Sequence, residues 1–264
     1  MNFTDKNILI TGASSGIGCQ LVKDLAEENC SLFLIARRKE LLLQLSAELK
    51  TKPAKIFVYQ NDVSDKEDVS KVFAEVKKEA GRIDIALLNA GTNSKLKPDE
   101  FSSEDAENIY GTNLFGIIYW AEHLIKEMKA NNGGIIAGVT SLADARGFSK
   151  NAFYSSSKAA ATILLEGMRV DLSKDNIKVI TIKPGFVWTP MTRKNNFYMP
   201  LLMDVKKASK IILEGIKKEK RVIRFPLPIV IGSMSLKLVP NFIYDRLSVK
   251  MRNTGEKLRD KQKK

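Results

Sequence analysis

The stretch NILITGASSGIG, Asn7 to Gly18, sets a short apolar run directly against a turn with glycines at 12, 16 and 18, and a segment of helical period follows at once. Asn7 to Thr11 is near-continuously apolar, as a strand covered on both faces must be. The glycines permit a tight strand-to-helix turn. They also let a pyrophosphate approach backbone N–H groups at a helix N-terminus, where the helix dipole favours negative charge. The spacing is G-x-x-x-G-x-G rather than the commoner G-x-G-x-x-G, and such a turn taken alone can be no more than a turn. Its place on the first strand of a parallel sheet is what points it toward a dinucleotide.

Outward from this turn, the same alternation repeats. Apolar, strand-like runs at 32–36, 56–59, 83–88, 135–140 and 179–182 alternate with helical segments at 17–28, 39–49, 66–80, 103–129 and 154–173. Six alternations imply right-handed crossovers and one parallel sheet between helix layers. The expected fold is therefore α/β, a single doubly wound sheet of about seven strands. After Pro184 the rhythm changes. Residues 189–203, with Met191, Phe197, Tyr198, Met199 and Leu201, read as an irregular lid over an apolar pocket. A helix at 206–218 and a last strand at 222–225 close the domain, 1–225.

The 264 residues are 44% hydrophobic and 28% charged, which excludes a disordered, fibrous or disulfide-framed chain. The formal charge is +13, but residues 204–264 hold 17 basic and 6 acidic side chains, so the first 203 residues carry only +2. That asymmetry argues against a nucleic-acid binder. Cys19 and Cys30 are too few for a disulfide framework or a thiolate zinc site, no metal is expected, and a reducing compartment fits. No charged region and apolar core resemble a signal peptide at the start, and no run approaches about 18 apolar residues. A cytoplasmic protein is expected.

At the end of the second strand an acidic residue would bond a ribose 2′-OH, whereas an Arg accommodates a 2′-phosphate. The chain reads Ile35-Ala36-Arg37-Arg38-Lys39, so NADP(H) is expected over NAD(H), with Arg37 directly after the strand as the first candidate. Arg38 and Lys39 read equally as a solvated helix start. Further on, Tyr154 and Lys158 stand four apart on one helix face. A phenol with a pKa of about 10 is a poor acid-base group at pH 7, and a neighbouring ammonium would stabilise the phenolate and move it toward neutrality. Such pairs occur by chance, but Ser141 lies thirteen residues earlier at the end of the fifth strand, where a hydroxyl reaches the ligand crevice.

Taken together, TGASSGIG at 11–18, Asp62-Val63, Asn89-Ala90-Gly91, Asn113, Ser141, Tyr154-Ser-Ser-Ser-Lys158 and Pro184-Gly185 with Thr189 resemble, in order and over about residues 5–225, the short-chain dehydrogenase/reductase family. The resemblance implies a Rossmann-like fold and an oxidoreductase. It places Gly12, Ser14, Ser15, Gly16, Ile17 and Gly18 along the phosphates and ribose, Asp62 and Val63 at the adenine, and Asn89, Ala90 and Gly91 beside the adenosine. By the same resemblance Tyr154 is the acid-base, Ser141 polarises the substrate oxygen, and Lys158 binds the nicotinamide ribose while lowering the Tyr154 pKa. Asn113 holds a water behind Lys158, and Pro184, Gly185, Val187 and Thr189 meet the nicotinamide end. Two departures stand out. Leu88 replaces the usual first Asn, implying one lost structural hydrogen bond, and Ser15 stands where many NADP-dependent relatives carry a basic residue, leaving the phosphate to Arg37 and Arg38.

Other features read as packing. His123 sits mid-helix, Cys19 and Cys30 read as small apolar groups, and Phe115 and Trp120 as helix faces. The resemblance implies a homodimer or homotetramer through the helices at 103–129 and 154–173. Asp144, Arg146 and Phe148 fall on a loop edging the pocket, where Arg146 is either an anchor for an acidic substrate group or a solvated side chain. With the lid they favour an apolar carbonyl or alcohol as substrate. Residues 226–252 are apolar and basic, with Arg246, Lys250 and Arg252, and have two readings: packing over the body, or lying on an anionic membrane surface. The basic tail 253–264 is expected to be disordered. The competing class is a non-catalytic dinucleotide-binding regulator or scaffold.

Overall fold

The computed structural model describes residues 1–94, 101–193, 195 and 199–249. Along the chain run β1 (Asn7–Thr11), α1 (Gly16–Leu25), β2 (Ser31–Ala36), α2 (Lys39–Glu48), β3 (Lys55–Gln60), α3 (Lys66–Ala80) and β4 (Ile85–Leu88). The second half adds α4 (Ser103–Tyr110), α5 (Gly116–Ala130), β5 (Gly134–Val139), α6 (Ala152–Asp171), β6 (Ile177–Pro184), α7 (Pro190–Arg193), α8 (Val205–Lys217), β7 (Val222–Phe225) and α9 (Leu227–Leu238). A further helix, α10, covers 241–249.

The seven strands form one sheet in the order β3-β2-β1-β4-β5-β6-β7, every pair parallel. Because successive residues of a strand face opposite ways, each strand feeds two cores. Ile8, Ile10, Leu34 and Ile182 meet Leu21, Leu25, Ile212 and Ile216 of α1 and α8. Leu9, Phe33, Leu88 and Ile136 meet Val69, Trp120, Leu124 and Leu165 of α3, α5 and α6. Strand order reverses between β1 and β4, so a crevice opens at their C-terminal ends, where the glycine turn leaves β1.

The helix expected over 103–129 is not continuous. A five-residue π-helical turn, Gly111–Phe115, separates α4 from α5. Asn113 lies within it. Its amide donates to the Thr92 carbonyl at 3.0 Å and its oxygen accepts from the Thr92 N–H at 2.8 Å, which ties the turn to the loop after β4. Wide turns of this kind mark functional positions inside helices.

The segment expected as an irregular lid is anchored at both ends. The Trp188 N–H donates to the Met203 carbonyl and the Met203 N–H to the Phe186 carbonyl, and α7 lies between. Phe197 and Tyr198 of that lid lie outside the described residues, as do Lys250, Arg252 and the whole tail 253–264. His123 stacks on Phe73 with ring centres 4.9 Å apart and meets the Ser70 hydroxyl at 3.0 Å, while Cys30 is buried and Cys19 packs against the same core.

Candidate active site

The crevice is a cavity of about 490 Å3, within the range of small-molecule and cofactor sites. Its floor is the glycine turn. Gly12 has φ +67°, and a Cβ there would lie 2.8 Å from the Ala90 Cα. Gly18 does not reach the cavity. It stands over β1's exit, where a Cβ would meet the Gly12 carbonyl oxygen at 2.3 Å, so its role is close helix–strand packing. The N-terminus of α1 has no side-chain cap and no acidic residue in its first turn. Its orphan N–H groups and positive dipole end are thereby left to the crevice. The hydroxyls of Ser14 and Ser15 are engaged instead by Arg38, whose Nη2 donates to them at 3.1 and 2.8 Å.

Arg38 rather than Arg37 therefore sits over the turn. Arg37 is turned to Asp62, Nη1 to Oδ2 at 3.6 Å, with both side chains partly exposed. Partial burial pushes the Asp62 carboxyl up, but hydrogen bonds from the Ser64 N–H and hydroxyl, together with Arg37, outweigh it and hold the group below its ordinary value. Both arginines line the cavity, as do Ile17, Val63 and Gly16. Asn61 lines it too, and its buried side-chain oxygen has no partner among the described residues. Sequence reasoning passed over Asn61 because it hides beside the more familiar Asp62.

Asn89 holds the crevice together from β4. Its side-chain amide donates to the Thr11 carbonyl at 3.0 Å, and the N–H groups of Asn89 and Ala90 donate to the Thr11 hydroxyl. The preceding Leu88 is buried in the sheet core, and the turn is thus secured by Thr11 and Asn89 without it.

Ser141, Tyr154 and Lys158 line the same cavity, with Pro184, Gly185, Val187 and Thr189 along its far side. Ser141 caps a short 3-10 turn, Leu142–Ala145, and its oxygen accepts from the Ala143 N–H at 3.1 Å. Lys158 is buried, donates to the Val139 carbonyl at 3.0 Å and lies 5.9 Å from the centre of the Tyr154 ring. Here the electrostatics differ from expectation. Burial brings the Lys158 pKa down to about 8. Burial pushes the Tyr154 phenol up, a hydrogen bond with Ser141 pulls against that, and the charge of Asp144 adds to the rise. The influences on the phenol in this state are burial, Ser141 and Asp144, and the Lys158 ammonium is not among them.

Asn113 is fully buried and lies behind the cavity wall, bonded to Thr92 and, at 3.0 Å, to the Ser157 hydroxyl. A Cβ on Gly91 would touch both the Asn113 oxygen and the Lys158 nitrogen at 3.3 Å, so Gly91 is the position where the two groups converge.

The loop residues behave differently from either reading of Arg146. Its guanidinium donates to the Val239 carbonyl and the Asn241 side chain and lies 4.2 Å over the Tyr244 ring, while the Tyr244 hydroxyl donates to the Gly147 carbonyl. Arg146 is thus a clamp on the C-terminal helices rather than a substrate anchor. Asp144 is buried and accepts from Lys183 at 2.7 Å and from Thr162 at 2.6 Å, which fixes the turn after Ser141 onto β6 and α6.

With this geometry in place, the relatives are informative. The family model of the short chain dehydrogenases matches residues 6–198. An uncharacterized oxidoreductase of Myxococcus xanthus is 30% identical over 247 residues, covering 94% of this chain and 98% of that protein. Among solved structures, a Sphingobium yanoikuyae short-chain dehydrogenase in complex with NADPH matches at TM-score 0.78 and 25% identity, over 84% of this chain and 88% of that one. A short chain dehydrogenase/reductase from Burkholderia phymatum in complex with NAD matches in fold at TM-score 0.82 and 20% identity, over 89% and 94%. The chain belongs to the short chain dehydrogenase family of oxidoreductases.

Proposed function

We propose that the protein is an NADP(H)-dependent oxidoreductase that interconverts a carbonyl and a secondary alcohol on an apolar substrate. The observation that carries this reading is the meeting of Ser141, Tyr154 and Lys158 with the glycine turn on one cavity. The residues fit a dinucleotide. Gly12 and Gly16 have positive φ and leave the cradle without side chains, α1 presents an uncapped N-terminus, and Asn61 offers an unpartnered oxygen. When bound, the nicotinamide group supplies or accepts the hydride.

The protein's own groups handle position and proton. Ser141 caps its turn through Ala143 and bonds Tyr154, so its hydroxyl stands where it would donate to the substrate oxygen in place of the phenol and polarise it. Tyr154 gives its hydroxyl proton to that oxygen in reduction, or takes the alcohol proton in oxidation. Lys158 is held against the cavity by Val139 and would donate to ribose hydroxyls, with the buried Asn113 close behind it. Arg38, on the serines of the turn, is placed to take a 2′-phosphate, with Arg37 beside it. Met191 on α7 gives the cavity an apolar wall.

We assign the protein to a reducing, cytoplasmic setting on its two free thiols, and to a homo-oligomer through α5 and α6. Ile163 and Val170, two turns apart on α6, are 70% and 68% exposed, an apolar stripe that pairing would cover. A panel of carbonyls and alcohols, followed by NADPH absorbance, tests the central reading. Turnover of apolar ketones is expected. NADPH binding with no turnover on any of them would favour the scaffold alternative instead.

A further inference from the structure

The C-terminal pair α9 and α10 is held to the body on one side only. Val230 and Tyr244 are buried, Arg146 bonds Val239 and Asn241, and α9 packs on the turn Leu142–Ala145 that follows Ser141. The opposite side of α9 carries Leu227, Ile231, Met234 and Leu238. Their spacing of four, three and four puts them on one face, and each is more than half exposed, Leu238 at 85%. On α10, Phe242, Ile243, Leu247 and Val249 are exposed as well. So many large apolar side chains together exceed the scattered apolar exposure of an ordinary surface.

Cations frame this patch. Arg224 reaches the Met234 sulfur at 3.4 Å, and Lys237 and Arg246 are exposed on the two helices, where Asp245 is the one acidic side chain among the described residues. No helix among the described residues is long and apolar enough to cross a membrane. We propose that α9 and α10 form a docking surface for an anionic lipid bilayer, lying in its interface with the apolar stripe sunk among the acyl chains and the cations on the headgroups.

The charge decides against the other occupants. A second copy related by a twofold axis would bring Arg224, Lys237 and Arg246 against their own equivalents, with Asp245 alone on α9 and α10 to offset them. Residues 250–264 bring only Met251 and Leu258 as large apolar side chains, too few to cover eight. Docking of this face needs no assumption about the reaction, although it would turn the loop beside Ser141 toward the membrane.

The test is co-sedimentation of the full-length protein with vesicles of phosphatidylcholine, alone or mixed with phosphatidylserine. Binding is expected to the mixed vesicles, weakening as salt rises. The variant Ile231→Asp/Leu238→Asp, at two exposed positions outside the active site, should weaken vesicle binding about tenfold or more while keeping wild-type melting temperature and NADPH affinity. Wild type that stays in the supernatant at low salt overturns the proposal. So does a variant that binds vesicles as well as wild type, or one whose only change is a lower mass by light scattering, which would make the face a contact between copies.

Discussion

The Lys158 ammonium lies 5.9 Å from the centre of the Tyr154 ring and donates to the Val139 carbonyl at 3.0 Å, one helical turn downstream of the phenol. Among the described residues no carboxylate offsets the desolvation of this charge, and its pKa falls to about 8. A lysine whose charge is costly to keep and a phenol pushed upward describe a site whose polarity is set for a ligand rather than for the fold.

Stability should register that cost. A base whose folded pKa lies below its unfolded value of 10.5 destabilises the fold fully below about pH 8, and the burden lifts as pH rises from about 8 toward 10.5. At pH 7 it is on the order of 3 kcal/mol, from which the lost Val139 hydrogen bond must be discounted. Lys158→Met should therefore raise the melting temperature of the cofactor-free protein by several degrees at pH 7 and abolish turnover, with the thermal gain shrinking by pH 10. A melting temperature that drops at pH 7 would refute this account.

Tyr154→Phe removes one hydroxyl and leaves the cradle of glycines, α1 and Arg38 untouched. Turnover should fall by at least about a hundredfold, while NADPH affinity measured by fluorescence stays within a factor of two or three. Comparable turnover in the variant would remove Tyr154 from the proton transfer.

Much of this arrangement is legible in the amino-acid sequence. Near-continuous apolar runs betray strands buried on both faces, and the glycine turn marks the switch point, so sheet and crevice follow from local pattern. What was not legible depends on contacts distant in sequence. Arg146 meets Val239 and Tyr244 more than ninety residues away, and nothing near it in the chain signals a clamp. The π-helical turn at Asn113 is bonded to Thr92, twenty-one residues earlier, and interrupts a helical period that reads as continuous. The direction of the Tyr154 and Lys158 shifts depends on burial, which a four-residue spacing does not encode.

Asp144 offers a pH test. It is buried beside Lys183 and Thr162, and its charge contributes to the raised Tyr154 pKa. A group with a raised acidic pKa keeps its proton to higher pH, so alcohol oxidation should climb through the alkaline range as the phenol ionises. Asp144→Asn keeps the shape, removes the charge, and should move that rising limb to lower pH. Asp144→Ala leaves Lys183 without its partner and should cost about 3 kcal/mol in chemical denaturation. A limb that does not move in Asp144→Asn would show that this carboxylate does not act on Tyr154.

Cofactor choice turns on which arginine faces the phosphate. Arg37 is occupied with Asp62 at 3.6 Å, whereas Arg38 spans Ser14 and Ser15 at the entrance of the turn. A 2′-phosphate arriving there exchanges neutral hydroxyl partners of Arg38 for charged oxygens, a hydrogen bond to a charged group being worth about 1.5–3 kcal/mol. Arg38→Ala should then weaken NADPH about tenfold or more and NADH little. Arg37→Ala should have the smaller effect on NADPH, since its loss first releases Asp62. The carboxylate so freed stands at the adenosine end, where it repels a phosphate and can accept from a ribose hydroxyl. The double variant should accordingly lean toward NADH, and titration of both cofactors against the three variants measures it. Equal losses for NADPH and NADH in Arg38→Ala would mean that the guanidinium only braces the turn.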